Sequence, residues 1–232
     1  MSEEFKPVRK GKKFIVLFLL LVVIPGGLFF FRSGKHSYCI LPYLGEKEVM
    51  GPGDTLYYTV PGFSFTDQNG RTVTDATYAG KILVVDFFFT RCTTICPRMT
   101  TQMQQLQFQL DDPAYGDVAF LSHTVDPEHD TPEVLRTFAR QHEVDTTRWH
   151  FLTGDAKAIY RQGNLGYLLT ALEDSTDPEG FVHSERFLLV DDRRHIRGQY
   201  DGTNTAERGR LVMDVKTLVA EKRKRDREAG KR

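Results

Sequence analysis

The sequence predicts an α/β domain, a central sheet covered by helices, set behind one N-terminal apolar segment. Strand-like and helix-like stretches alternate between residues 82 and 162, the order of parallel strands joined by helical crossovers. The run 82–89, ILVVDFFF, is apolar on both faces apart from Asp86, as a strand covered on both sides must be. A strand pair at 185–191 and 196–200 and a helix over 206–225 close the chain.

Taken in order, the first element is the apolar run 14–31, eighteen residues without a charge. At about 1.5 Å per residue it spans about 27 Å, close to the hydrocarbon thickness of a bilayer. Lys6, Arg9, Lys10, Lys12 and Lys13 precede it, which keeps that side cytoplasmic and puts the rest of the chain in the periplasm. The run is longer than a signal-peptide core, and no Ala-x-Ala-like site follows it, so the segment reads as an uncleaved inner-membrane anchor. Residues 1–13 are then a cytoplasmic tail, and 32–54, punctuated by Gly34, Pro42, Gly45, Gly51, Pro52 and Gly53, a linker.

The soluble domain is expected over 55–220. Residues 56–60 and 63–65 read as short strands broken at Pro61 and Gly62. The turn signal DQNG at 67–70 leads into a returning strand at 71–74. Met99, Met103, Leu106 and Leu110 form the apolar stripe of a helix, which assigns both methionines to the core rather than to a metal. A strand at 118–125 follows, then a helix opened by Asp130, Thr131, Pro132 and Glu133 and running to about His142. Residues 149–152 read as a strand and 155–162 as a short helix. Residues 221–232 form a basic tail, best read as a solvated helix end.

Lysine plus arginine balances aspartate plus glutamate at 31 each, so no basic excess marks a nucleic-acid partner. There are three cysteines. Cys39 lies just past the apolar run and reads as a lone thiol. Cys92 and Cys96 stand in DFFFTRCTTICP (86–97), between the buried strand and a helix start. Pro97 suits the first helical turn, which brings Cys96 to the positive helix end, and Arg91 adds a cation beside Cys92; each lowers a thiol pKa. The three-residue spacing lets the pair close as a disulfide or turn both sulfurs toward one external atom.

Two thiolates are too few for a closed zinc or iron–sulfur site. With one imidazole they suit copper, because sulfur holds Cu(I) and the imidazole helps accommodate Cu(II). His183, in GFVHSERFLLVD (180–191), stands in a loop just before a strand and is the best-placed third ligand. Position alone leaves it open between ligand and ordinary loop residue. His36, His123, His129, His142, His150 and His195 read as surface or core residues.

The stretch FTRCTTICP (89–97), then VDPEHDTP (125–132), then His183 at 87 residues beyond Cys96, resembles the Sco/SenC family over roughly residues 55–220. The resemblance implies a thioredoxin-like fold and a membrane-anchored metallochaperone serving the binuclear copper site of cytochrome c oxidase. The metal ligands it implies are Cys92, Cys96 and His183. The implied partners are the copper-site subunit of the oxidase and thiol reductants or other copper carriers. The alternative it implies is a thiol–disulfide reductase acting on that site's cysteines through the redox pair Cys92 and Cys96, rather than a turnover enzyme of another kind. Thr93 departs from the proline often found after the first cysteine, without removing a ligand. Asp126, Asp130 and Pro132 match the pattern and read as scaffolding of the following helix. A thiol peroxidase would want a proline–threonine–cysteine environment that is missing here, and an inert disulfide would leave Arg91, Pro97 and His183 unexplained.

Overall fold

The computed structural model describes residues 21–22, 40–51, 53–169 and 184–230. The chain divides into two units, Met1–Cys39 and Ile40–Arg232. In the first unit only Leu21 and Val22 are described, so the run 14–31, His36 and Cys39 otherwise lie outside the described residues. No helix among the described residues is long and apolar enough to cross a membrane.

The second unit is a seven-stranded mixed sheet with helices on it, a thioredoxin-like α/β arrangement. Its strands are β3 (Ser64–Asp67), β4 (Thr72–Thr74), β5 (Ile82–Phe88), β6 (Val118–Thr124), β7 (Trp149–Thr153), β8 (Arg186–Val190) and β9 (Ile196–Asp201). They run in the order β4-β3-β7-β6-β5-β8-β9. The central β5, β6 and β7 are parallel, whereas β3 and β8 flank them antiparallel. The helices are α1 (Cys96–Gln109), α2 (Pro132–Gln141), α3 (Ala156–Arg161) and α4 (Thr205–Ala229).

All seven residues of β5 and all seven of β6 are buried, as central parallel strands require. Register pairs Asp86 with Ser122 and Phe87 with His123, so neighbouring positions feed opposite faces. On one face Phe88 and Phe151 pack against Phe138 of α2, and the methionines behave as core residues: Met99 is 2% exposed and Met103 0%. On the other face Phe63, Phe65, Phe87 and Tyr167 surround the His123 ring. Burial among these rings pushes the His123 pKa down to about 3, so it is a neutral core imidazole.

Two boundaries differ from the sequence reading. Residues 40–54, expected as linker, are structured: β1 (Lys47–Gly51) and β2 (Asp54–Tyr57) form their own antiparallel ribbon. The preceding segment docks on the domain, with Leu41 buried and the Leu44 N–H donating to the Ile196 carbonyl at 2.9 Å. Glycine and proline punctuation hides this, because it marks the turns and is silent on what the residues between them pair with. At the other end, α4 continues to Ala229 through the expected basic tail. Lys222 pairs with Asp117 at 3.1 Å and Arg225 with Asp192 at 2.5 Å, so part of that charge fastens the helix to the domain.

Arg197 ties the docked segment down. Its guanidinium is 1% exposed, lies 4.1 Å over the Tyr43 ring, and donates to Asp191 at 3.0 Å, Glu221 at 3.3 Å and the Leu41 carbonyl at 2.8 Å. Arg197→Met would leave the Asp191 carboxylate buried without its cation. Equilibrium denaturation should show a loss of about 3–5 kcal/mol, the cost of breaking a buried pair from one side.

Asp86 supplies a pH signature. Burial outweighs hydrogen bonding from Ser122 and pushes its pKa from 3.8 up to about 7; one of its carboxyl oxygens has no hydrogen-bond partner. Between those values the fold keeps a proton that the unfolded chain releases, so stability falls as pH rises. Urea titrations should therefore show Asp86→Asn gaining on the wild type from about pH 4 to about pH 7, by up to about 4 kcal/mol. A constant difference across that range would refute the buried neutral acid.

Candidate metal centre

The cysteine loop begins where β5 leaves the sheet. The Cys92 N–H returns to the Phe89 carbonyl at 3.2 Å, closing a turn over Thr90 and Arg91. Both of those residues are held by the loop between β6 and α2. The Thr90 N–H donates to Asp130 Oδ2 at 3.1 Å, and its hydroxyl donates to Oδ1. Arg91 donates through Nε and Nη2 to Asp126 Oδ2, at 3.0 and 2.5 Å. Thr124 at 2.5 Å and His129 at 2.9 Å complete the donors around the fully buried Asp130 carboxylate.

These two acids were expected to scaffold the following helix. They hold the cysteine loop instead: the α2 cap is Thr131, whose hydroxyl accepts from the Val134 N–H at 3.4 Å. Asp126, His129 and Asp130 also place potential ligand atoms within 4.8 Å of one another. With Arg91 on Asp126 and hydroxyl and amide donors on Asp130, the cluster is spent on the loop and offers no open carboxylate pair to a cation.

Beyond the clamp, α1 opens at Cys96, with Pro97 second and Ile95 at the cap position. Ile95 has no side-chain acceptor to give, and the exposed first-turn amides turn to sulfur instead. The Cys96 N–H donates to Cys92 Sγ at 3.3 Å, and the Thr94 hydroxyl lies 3.8 Å from the same atom. Both thiols are free and buried, 5% and 3% exposed.

Their electrostatics are opposite. Burial works against a Cys92 thiolate, but the Cys96 side chain and the N–H groups of Cys96, Thr94 and Ile95 outweigh it and lower the Cys92 pKa. Burial, reinforced by the hydrogen bond to Cys92, raises the Cys96 thiol well above its ordinary value, and the Asp86 carboxyl adds to the rise. The sequence reading gave the helix end to Cys96; the structure gives it to Cys92, because the amides of a first turn point out of the helix toward whatever precedes it. Arg91 likewise acts through Asp126 rather than on the sulfur. The arrangement is a pair of thiols of unequal acidity, Cys92 the more readily deprotonated and Cys96 the less.

His183 lies outside the described residues. The strand that follows it, β8, pairs with β5 in antiparallel register, Val85 opposite Leu188, so β8 begins alongside the end of β5 that carries the cysteines. Among the other histidines, the His195 Nδ1–H donates to the Tyr58 carbonyl at 2.9 Å, and His150 bonds the Tyr78 hydroxyl at 2.5 Å. Both serve packing. The clamp from Asp126 and Asp130 was missed as such; the Asp-Pro-x-x-Asp spacing at 126–130 is its signal in the sequence.

Comparison with known proteins bears on the whole domain. The SCO1/SenC family model matches residues 54–220. A SCO1 protein homolog of Bacillus subtilis is 32% identical over 164 residues, 71% of this chain and 84% of that protein. A protein of Stutzerimonas stutzeri described as a putative copper-binding protein is 26% identical over 140 residues, 60% of this chain and 67% of its own length. The solved structure of BsSco, described as a member of the Sco family of cytochrome c oxidase assembly proteins with a disulfide switch, superposes with a TM-score of 0.61. It is 32% identical, over 70% of this chain and 94% of that one. With the strand-to-helix cysteine loop, its aspartate clamp and a match over most of the folded unit in agreement, the chain belongs to the SCO1/SenC family.

Proposed function

We propose that this protein is a copper metallochaperone tethered to the inner membrane by residues 14–31, with its folded domain in the periplasm, and that it assists assembly of the binuclear copper site of cytochrome c oxidase. Copper is the cargo, held by Cys92, Cys96 and His183. The observation that carries the reading is the buried pair of free thiols, one of them with its pKa lowered by the surrounding N–H groups. Loading displaces the thiol protons, from Cys92 more readily than from Cys96, and the two sulfurs and a neutral imidazole complete a three-coordinate soft site. Burial keeps water and oxidants from the ion. Transfer then needs only ligand exchange, each sulfur released as a partner cysteine takes its place. The copper-binding description of the Stutzerimonas relative and the oxidase-assembly description of BsSco support this reading.

A second reading, reduction of the oxidase cysteines by the same pair, is favoured by the pKa asymmetry. A low-pKa attacking sulfur beside a protonated partner is the arrangement thiol–disulfide exchange uses. Attack by Cys92 on a partner disulfide gives a mixed disulfide and one released thiolate. Cys96, once deprotonated, then displaces the second, leaving Cys92–Cys96 oxidised and the partner dithiol reduced.

Anaerobic Cu(I) titration of residues 33–232 should give one copper per wild-type domain. Cys92→Ser, Cys96→Ser and His183→Ala should each weaken retention at least about tenfold, the scale of losing one ligand. Equal affinity in wild type and His183→Ala would remove the third ligand. The exchange reading separates at the same residue, because His183→Ala should leave the rate of disulfide reduction within about twofold.

The thiols themselves should differ. In the reduced protein at neutral pH, mass spectrometry after brief alkylation should find Cys92 modified before Cys96. The reverse order would contradict the amide nest around Cys92.

A further inference from the structure

The pole of the domain opposite the cysteine loop holds a cavity of about 180 Å³. It lies where the segment 60–63, the single helical turn Asp75–Tyr78, the start of β5 and the end of β8 meet. β5 separates it from the thiols: Lys81 stands just before that strand and Cys92 just after it, and seven strand residues span about 23 Å. Nothing in the copper or thiol chemistry above uses it.

Its walls are apolar, formed chiefly by Phe63, Tyr78, Leu83, Tyr167 and Val190. Most of these belong to the sheet or pack against it, which keeps the walls in place without a ligand. The Tyr167 ring is fully buried, and its hydroxyl, beside the Gln162 side chain, lacks a partner at hydrogen-bonding geometry.

The rim is charged, and two of its cations stand outside the ion pairs. Asp75 is taken by Arg194 at 3.0 Å, and Asp192 by Arg225 at 2.5 Å. Asp191 is taken by Arg197 at 3.0 Å. Lys81 and Arg193, which also line the cavity, form no ion pair with a described residue. Their positions are built in. Lys81 is presented by a turn whose N–H returns to the Tyr78 carbonyl at 3.0 Å, with Gly80 at φ +74°. The Arg193 N–H is held by Asp191 Oδ1 at 3.0 Å. Two cations outside the ion pairs therefore line an apolar chamber.

We propose that this cavity is a binding site for a small amphipathic anion, a monocarboxylate with an aromatic or compact aliphatic body. An engineered apolar cavity of about 150 Å³ takes up benzene, so the volume here suits one ring or its aliphatic equivalent. The carboxylate accepts from Lys81 and Arg193 at the rim, and charge-assisted hydrogen bonds there are about twice as strong as neutral ones. Burial of the ring against Phe63, Leu83 and Val190 supplies the remainder.

Benzoate is the probe, titrated into the reduced, copper-free protein and followed by amide chemical shifts. Benzoate should perturb Gly80, Lys81, Tyr167 and Val190 and leave Cys92 and Cys96 unmoved. Benzamide, equal in shape and uncharged, should bind at least tenfold more weakly, and inorganic phosphate, charged without an apolar body, should fail to compete at equal concentration. The variant K81Q/R193Q alters exposed or half-buried rim residues only, so it should fold and load copper as the wild type does, while losing at least tenfold in benzoate affinity. No shift at millimolar benzoate would overturn the site. Equal binding of benzamide, effective competition by phosphate, or undiminished affinity in K81Q/R193Q would overturn the chemistry assigned to it.

Discussion

The cysteine loop depends on one buried carboxylate. Asp130 is fully inaccessible and takes up the Thr90 N–H, the Thr90 and Thr124 hydroxyls and the His129 ring. A buried charge is tolerable only when its lone pairs are filled, and here the donors come from the end of β5, the end of β6 and the approach to α2. The same bonds that make the charge tolerable therefore fix three chain segments at one point. Asp126 repeats the device one turn earlier through Arg91. Two residues upstream of Cys92 have no conformational choice left, so the Cys92 sulfur is delivered to the first-turn amides of α1.

That delivery explains why two cysteines four positions apart differ so much. Cys92 sits in front of a helix, where the unpaired N–H groups collect, and Cys96 sits inside the first turn, where burial and the charge of the Asp86 carboxyl oppose its ionisation. The electrostatic advantage of a helix N-terminus belongs to a residue that faces it, not to one that forms part of it. At the copper site proposed above, an approaching ion would meet one sulfur that gives up its proton readily and a second that does so less readily, which would make uptake sensitive to pH and release accessible to a competing thiol.

Much of this was legible in the chain. β5 is read correctly from an apolar run too continuous for a half-exposed strand, β6 is placed at nearly its observed bounds, and α1 follows from Met99, Met103, Leu106 and Leu110 at helical spacing. The cysteine loop follows from its place between them. What escaped has a common physical cause: the partner of a charge is decided by tertiary contact. Arg91 adjoins Cys92 in sequence yet spends its charge on Asp126, 35 residues away. Asp130 looks like a helix cap and is a buried tie, while Thr131 caps the helix. The ribbon β1–β2 was hidden because its residues alternate weakly and its strands are bounded by glycines. His183 lies outside the described residues, and β8, the strand after it, starts alongside the end of β5 that leads to the cysteines.

The sheet also sets how the two ends of the domain relate. Lys81 and Cys92 flank the same strand, and every residue between Ile82 and Phe88 is buried on both faces of a close-packed sheet. Such a strand is a poor lever: shifting it by even a fraction of its pleat would displace Phe87 against His123 and Phe88 against Phe138 together. Occupancy at the far pole therefore has no route to the sulfurs through sliding of β5. Only protonation of Asp86, which shares the interior with Cys96 and titrates near neutrality, acts on the thiols from within the strand itself. Its negative charge disfavours a Cys96 thiolate and its neutral form does not, so lowering the pH through about 7 removes one obstacle to deprotonating Cys96 while raising the general proton supply that opposes it. These two effects oppose each other, and copper affinity at such a site should vary less steeply with pH than a lone buried thiol would demand.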